Sequence, residues 1–248
     1  IIGTQEESDW ADLREYAKRF PVPDFGFTPD GEFPIGNVEY GTIDAIIKVP
    51  IDRSISGKII VDAMSDGSPM AEIPDNASAG ITYSGKFVAV AGEKVIVRQG
   101  RSGGDQNAIV EICRKLAGSE VARELVPPIV RLIGSDDPDD FRQRVFGSST
   151  FMEIKGAVLL ISFHVRFINE DYARKVEAFI AVFANEAGGE AVRLGMTPSV
   201  MVERDRPFMR ILAEAYEAFS GFRQGYIVAG GGTYAKAMPN IVSFGPLL

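Results

Sequence analysis

Apolar residues recur at helical spacing over residues 9–20, where Trp10, Leu13, Tyr16, Ala17 and Phe20 share one face. Ser8 or Asp9 is placed to cap this helix, and Pro21 and Pro23 end it. Residues 24–35 are dense in proline, glycine and aromatics and read as an ordered loop. Strand patterns follow over 38–49, 58–64 and 77–90, with turns predicted at Asp66-Gly67-Ser68-Pro69 and Ser84-Gly85. A short strand over 94–98 leads to a glycine-rich turn, 100–104, and then to a helix over 107–116. Residues 120–133 form a further helical stretch, interrupted at Pro127-Pro128.

The acidic run 134–140 reads as a linker, and after it the pattern restarts. Residues 151–156 turn into a strand over 157–167, followed by a helix at 170–187, a strand at 191–202 and a helix at 207–219. A loop at 230–234 and a strand at 240–244 close the chain. Both halves thus combine strands with helices, which predicts an α+β protein built from two subdomains. Within 157–167, alternation puts Leu159, Ile161, Phe163, Val165 and Phe167 on one face, and Ser162, His164 and Arg166 on the other.

Composition narrows the chemistry. With 248 residues, 46% hydrophobic and 24% charged, the chain can bury a sizeable core, and it has no apolar run long enough to span a bilayer. A formal net charge of −8 argues against nucleic acid as a partner. A single cysteine, Cys113, rules out an intrachain disulfide framework and a thiolate-rich zinc site, and it fits a cytoplasmic setting. The single histidine, His164, excludes any motif needing two imidazoles, so a metal would draw mainly on Asp and Glu within this chain. The apolar ends, Ile1-Ile2 and Leu247-Leu248, read as cuts through a longer protein or as limits of its ordered part.

Four places could carry chemistry, and each also has a structural reading. Glu6 and Glu7 point in different directions, so one could bind a metal while the other reaches a water; equally, they are acids favoured at a helix N-terminus. Asp30 lies in a Pro-Asp-Gly turn, which explains it without any ligand. His164 and Arg166 suit a substrate carboxylate, or simply face water. The run Gly230 to Thr233 could cradle an anion with bare backbone N–H groups, or serve as a turn.

Three segments taken together resemble one family. G-T-Q-E-E-S-D-W at 3–10, G-F-T-P-D-G-E-F-P at 26–34 and G-G-G-T-Y-A-K-A-M-P-N-I-V-S-F-G-P at 230–246 are similar to the PepV-type zinc dipeptidases, in the same order and at matching separations. That group sits with the Xaa-His dipeptidases, carnosinases and aminoacylases. The resemblance implies a lid of two ferredoxin-like α+β subdomains inserted in an α/β zinc-peptidase domain. Residues 1–36 and 226–248 would be edges of the catalytic domain and 37–225 the lid, with subdomains at about 37–135 and 148–225. It further implies a dipeptide substrate, two zinc ions and a homodimer formed through the lid. By the same resemblance Glu6 is the general base, Glu7 and Asp30 are zinc ligands on different metals, Arg166 holds the substrate carboxylate, and Gly231, Gly232 and Thr233 contact the substrate backbone.

The sequence departs from that pattern in several places. The family's His-x-Asp motif and bridging Asp would precede residue 1, and its last histidine ligand would follow Leu248. The loop expected to bring the lid histidine is short at 100–108 and holds none; His164 does not match it. Ala71 stands near the place of a lid asparagine, and Lys236 where the family usually has arginine. The expectation is therefore part of a dipeptidase, inactive as this chain alone. The alternative is a non-catalytic homologue or isolated lid acting as a dimerisation or binding module.

Overall fold

The computed structural model describes residues 3–5, 10–52, 55–61, 76–83, 86–94, 107–118, 133, 140–223, 225–230 and 232–246. In chain order the elements are α1 (Ala11–Arg19), β1 (Gly26–Thr28), β2 (Gly36–Glu39), β3 (Gly41–Pro50), β4 (Ile55–Val61), β5 (Asn76–Tyr83), β6 (Lys86–Lys94) and α2 (Ala108–Gly118). Then come α3 (Asp140–Phe146), β7 (Ser149–Lys155), β8 (Val158–Phe167), α4 (Glu170–Glu186), β9 (Glu190–Thr197), β10 (Val200–Met201), α5 (Pro207–Ser220), β11 (Ile227–Ala229), a 3-10 turn (Tyr234–Ala237) and β12 (Ile241–Ser243). The architecture is α+β. It divides into two compact units, one of residues 1–42, 167–172 and 197–248, the other of residues 43–166 and 173–196.

The first unit is built on a five-stranded sheet in the order β1-β12-β2-β10, with β11 also paired to β2. Strands β1 and β12 run parallel, Gly26 opposite Ile241 and Thr28 opposite Ser243. Alternation along β12 decides what covers each face. Val242 packs with Phe208, Met209 and Ala213 of α5, together with Ile35 and Val202. Ile241 packs with Leu13 of α1, Ala235 and Met238. The two helices therefore lie on opposite faces, a three-layer arrangement. Gly36 is glycine because a β-carbon there would collide with Ser243 Oγ on β12.

The second unit holds a four-stranded sheet, β7-β8-β3-β9, and an antiparallel meander, β4-β5-β6. The alternation of 157–167 holds on the core face, where Leu159, Ile161, Phe163, Val165 and Phe167 are buried; on the other face Arg166 is exposed, but Ser162 is buried, its hydroxyl 2.8 Å from that of Thr150. Val176, Ile180 and Phe183 of α4 are buried too, and the Phe183 ring meets Phe163 edge-on with centroids 6.4 Å apart. Tyr83 pairs with Lys86 where β5 and β6 meet, and the turn expected at Ser84-Gly85 lies outside the described residues.

Several expectations need correction. The strand over 38–49 is two strands. Residues 36–39 are buried on both faces, whereas 41–50 alternate, so β2 and β3 separate at Tyr40 into different sheets. The strand over 191–202 likewise breaks into β9 and β10 at Pro198, which cannot donate to a ladder. The loop over 24–35 contains β1, and β11 had no strand assigned to it. The N-cap of α1 is Trp10, at φ 54, with no side-chain cap bond; Ser8 and Asp9 lie outside the described residues. Also outside them are 95–98, 100–104, 120–132 and 134–139, which held a strand, a turn, a helix and a linker in the sequence reading. Among the described residues, no helix is long and apolar enough to cross a membrane.

Candidate functional site

The first unit gathers the three segments that carry the family resemblance. A cleft of about 530 Å³ is lined by Gly3 from the first, Thr28 and Asp30 from the second, and Tyr234, Met238 and Ile241 from the third. Asp12, in the first turn of α1, ties the first segment to the third, while the second is held to the third by the β1–β12 pairing. The Asp12 Oδ2 accepts from the backbone N–H of Thr4 at 2.5 Å, from that of Gln5 at 3.1 Å and from the Tyr234 hydroxyl at 2.8 Å. Desolvation pushes the Asp12 carboxyl up, but hydrogen bonds from Thr4, Tyr234, Leu13 and Gln5 outweigh it and hold the group below the ordinary carboxylate range. The Trp10 N–H donates to the Gln5 carbonyl at 3.2 Å, so the residues flanking 6–9 are fixed at both ends. Glu6 and Glu7 themselves lie outside the described residues.

The glycine-rich loop is fastened from beneath. Thr233 is buried; its hydroxyl donates to Glu39 Oε1 at 2.6 Å and its N–H donates to Oε2 at 3.1 Å. The same hydroxyl accepts from Ala235 N–H, and the Thr233 carbonyl accepts from Lys236 N–H. Every polar atom of Thr233 is thus bonded within the unit. Lys236 Nζ donates to the Tyr40 carbonyl at 2.6 Å, a second tie to the end of β2. Gly232 is exposed, and Gly231 lies outside the described residues.

Arg166 belongs to the second unit. It is exposed on β8, and among the described residues its side chain makes no hydrogen bond or ion pair. Two residues earlier on the same face, His164 Nδ1 meets Asp44 Oδ1 of β3 at 2.6 Å. Further along β3, the hydroxyls of Thr42 and Thr197 meet at 2.8 Å.

Sequence reasoning missed Asp12, Glu39 and Asp44. Glu39 stands at the end of Gly36-Asn37-Val38-Glu39, where only its burial on both faces, not the sequence, shows that it needs a partner. Asp44 had a signal, standing between Ile43 and Ala45 on the polar phase of β3. Asp12 looked like any acid in a first helical turn.

The zinc expectation can be tested against these residues. Among the described residues, no three His, Cys, Asp or Glu side chains stand close enough together to hold a metal ion. Of the two carboxylates assigned to zinc, only Asp30 is described, and its neighbours around the cleft are apolar or hydroxyl-bearing. The described residues do not by themselves fit a zinc centre.

No family model matches the chain. Curated relatives do: it is 26% identical over 284 residues to a Bacillus subtilis (strain 168) protein named "Putative dipeptidase YtjP", and 26% identical over 288 residues to a like-named Staphylococcus haemolyticus protein. Both alignments cover 100% of this chain but 61% of the relative, so the chain spans less than two thirds of their length. Among solved structures, the aminoacylhistidine dipeptidase of Vibrio alginolyticus has a similar fold, with a TM-score of 0.50 and 13% identity over 90% of this chain and 59% of that one. Over its whole length the chain is thus similar in sequence to proteins named as putative dipeptidases, and similar in fold to a solved dipeptidase.

Proposed function

We propose that this chain is part of a hydrolase that cleaves dipeptides, carrying the edges of its catalytic domain at 1–36 and 226–248 and a lid at 37–225. The observation that supports this most directly is the convergence of segments 3–10, 26–34 and 230–246, distant in sequence, around one cleft in the first unit.

In this reading Glu6 takes the proton of the attacking water and returns it to the leaving amine. Arg166 pairs its planar guanidinium with the dipeptide's C-terminal carboxylate, a bidentate contact that a lysine ammonium cannot reproduce. Gly231 and Gly232 offer bare backbone to the substrate's own backbone, and Thr233 holds their loop on Glu39. The two zinc ions that the resemblance implies would draw Glu7 and Asp30 from this chain and their remaining ligands from elsewhere in the longer protein. A cytoplasmic homodimer joined through the lid belongs to the same reading.

The test uses the full-length protein. Glu6→Gln preserves size and hydrogen bonding but cannot accept a proton, and should lower turnover of a free dipeptide by about 100-fold or more with metal content unchanged. Arg166→Lys should lower kcat/KM for the free dipeptide by roughly one to two orders of magnitude and affect its C-terminal amide far less. Absence of any dipeptide hydrolysis by the full-length protein, with dimerisation or ligand binding intact, would favour the non-catalytic reading instead.

A further inference from the structure

The pairing of His164 with Asp44 lies outside every role assigned so far. Both side chains are half-buried, His164 18% and Asp44 24% exposed, so the contact is neither fully screened by water nor a dry ion pair. Asp44 can only accept at this contact when ionised, so Nδ1 carries the ring's proton toward it. The other ring nitrogen, Nε2, is then a lone pair in the neutral imidazole and a donor in the cation. Arg166 follows two residues later on the same face, roughly 7 Å along the strand, and has no partner among the described residues. The arginine side chain is long enough to close that gap onto a shared ligand.

We infer that His164, held by Asp44, is the second contact for the carboxylate that Arg166 takes, making the outer face of β8 a two-point carboxylate site that works when the imidazole is protonated. This rests on the reading of Arg166 given above and adds to it a positioning residue, Asp44, and a pH dependence. The sheet's charged residues run strand by strand, beginning with Glu190 and Arg193 on β9, which lies beyond β3 from His164. On β3 they are Asp44 and Lys48, which share its outer phase. On β8 there is Arg166. On β7, Glu153 and Lys155 stand opposite Leu160 and Val158, at the far end of the strand from His164. The backbone N–H of His164 donates to the Ser148 carbonyl, which fixes the strand there. Asp44 is thus the one carboxylate in hydrogen-bond contact with the ring among the described residues. A carboxylate ligand would meet a second cation only while the ring holds both protons.

Because His164 is the single histidine, a chain labelled with 15N in its imidazoles gives one set of ring signals. The probe is N-acetylglycine, with N-acetylglycinamide as the uncharged control. The expected result is an Nδ1–H ring at about pH 8.5, and an Nε2 signal that N-acetylglycine moves saturably at about pH 5.5 while the amide does not. Apparent binding of the acid should be roughly ten-fold tighter at the lower pH, on the scale of one charge-assisted hydrogen bond. Asp44→Asn should remove the tautomer preference and weaken that response, and Arg166→Lys should weaken binding while leaving the tautomer in place. An acid that moves the Arg166 guanidinium signals but never the ring would overturn the role of His164 and leave the Arg166 reading intact. If neither signal moves, both fall. A ring in the Nε2–H form, or an Asp44→Asn ring that behaves as wild type, would remove Asp44 as the positioning residue.

Discussion

Two carboxylates set the local chemistry of the first unit, and each gives a measurable consequence. Glu39 is fully buried and receives two donors from Thr233. Thr233→Val removes the hydroxyl donor from a buried carboxylate while keeping the side-chain shape. It should destabilise the protein by about 2–3 kcal/mol, readable as a shifted denaturant midpoint. An unchanged midpoint would mean that water replaces the hydroxyl. Asp12 gives a pH signature. Its carboxyl is held below the ordinary value, so the folded chain binds that proton more weakly than the unfolded chain does, and acidification favours unfolding. The contribution is present above the unfolded value of about 3.9 and is lost as pH falls through the depressed folded value. In Asp12→Asn the acid unfolding curve below about pH 4 should be shallower than in the wild type. The candidate residues stood out only because three segments together resemble one family, since a Pro-Asp-Gly turn, a Glu-Glu pair at a helix start and a glycine run each have a structural reading of their own. Their partners did not stand out, since Thr233 to Glu39 and Tyr234 to Asp12 are joined across 194 and 222 residues that no local pattern connects.

Elements with a strong period came through the sequence intact. Alternation in β8 and the helical spacing behind α4 and α5 gave boundaries that the structure moves by a residue or so. Where continuous β-rich sequence crosses from one sheet to another, periodicity gives no warning, and β2/β3 and β9/β10 were each read as one strand. Short strands such as β1 and β11 exist because a neighbour supplies their ladder, so their own three residues carry almost no signal. Helix α2 shows how an element depends on one buried polar residue. Asn107 accepts from Ile109 N–H at 2.8 Å and donates through Nδ2 to the Gly147 carbonyl at 3.0 Å, so one side chain caps the helix and ties it to the turn before β7. Asn107→Ala should cost about 2 kcal/mol or more, above the roughly 1 kcal/mol of an ordinary cap, because a buried carbonyl also loses its donor. Thermal unfolding of the variant against wild type measures it.

For the molecule as a whole, the metal prediction follows from ligand supply. Glu7 and Asp30 are two carboxylates where a stable tetrahedral site usually wants about four ligands, so the 248-residue chain should lose zinc on dialysis and show no zinc-dependent dipeptide turnover. Stoichiometric zinc retained by this chain would contradict the proposed ligand set. The division into units has a different consequence, in the order of folding. The first unit is assembled from three stretches, 1–42, 167–172 and 197–248, and its parallel pair β1–β12 joins Gly26 to Ile241. Nearly the whole chain must be synthesised before that strand pair can form, whereas the second unit has most of its residues in the continuous stretch 43–166. Contacts of such long sequence separation are slow to form because chain closure precedes any reward from packing. Pulse-labelled hydrogen exchange during refolding should therefore protect amides of β5 and β8 before those of β2 and β12. On the ribosome, Phe27 of β1 stays without its strand partner until Val242 has emerged, and a chaperone that binds exposed aromatic segments would find its target at Phe25 and Phe27 in that interval.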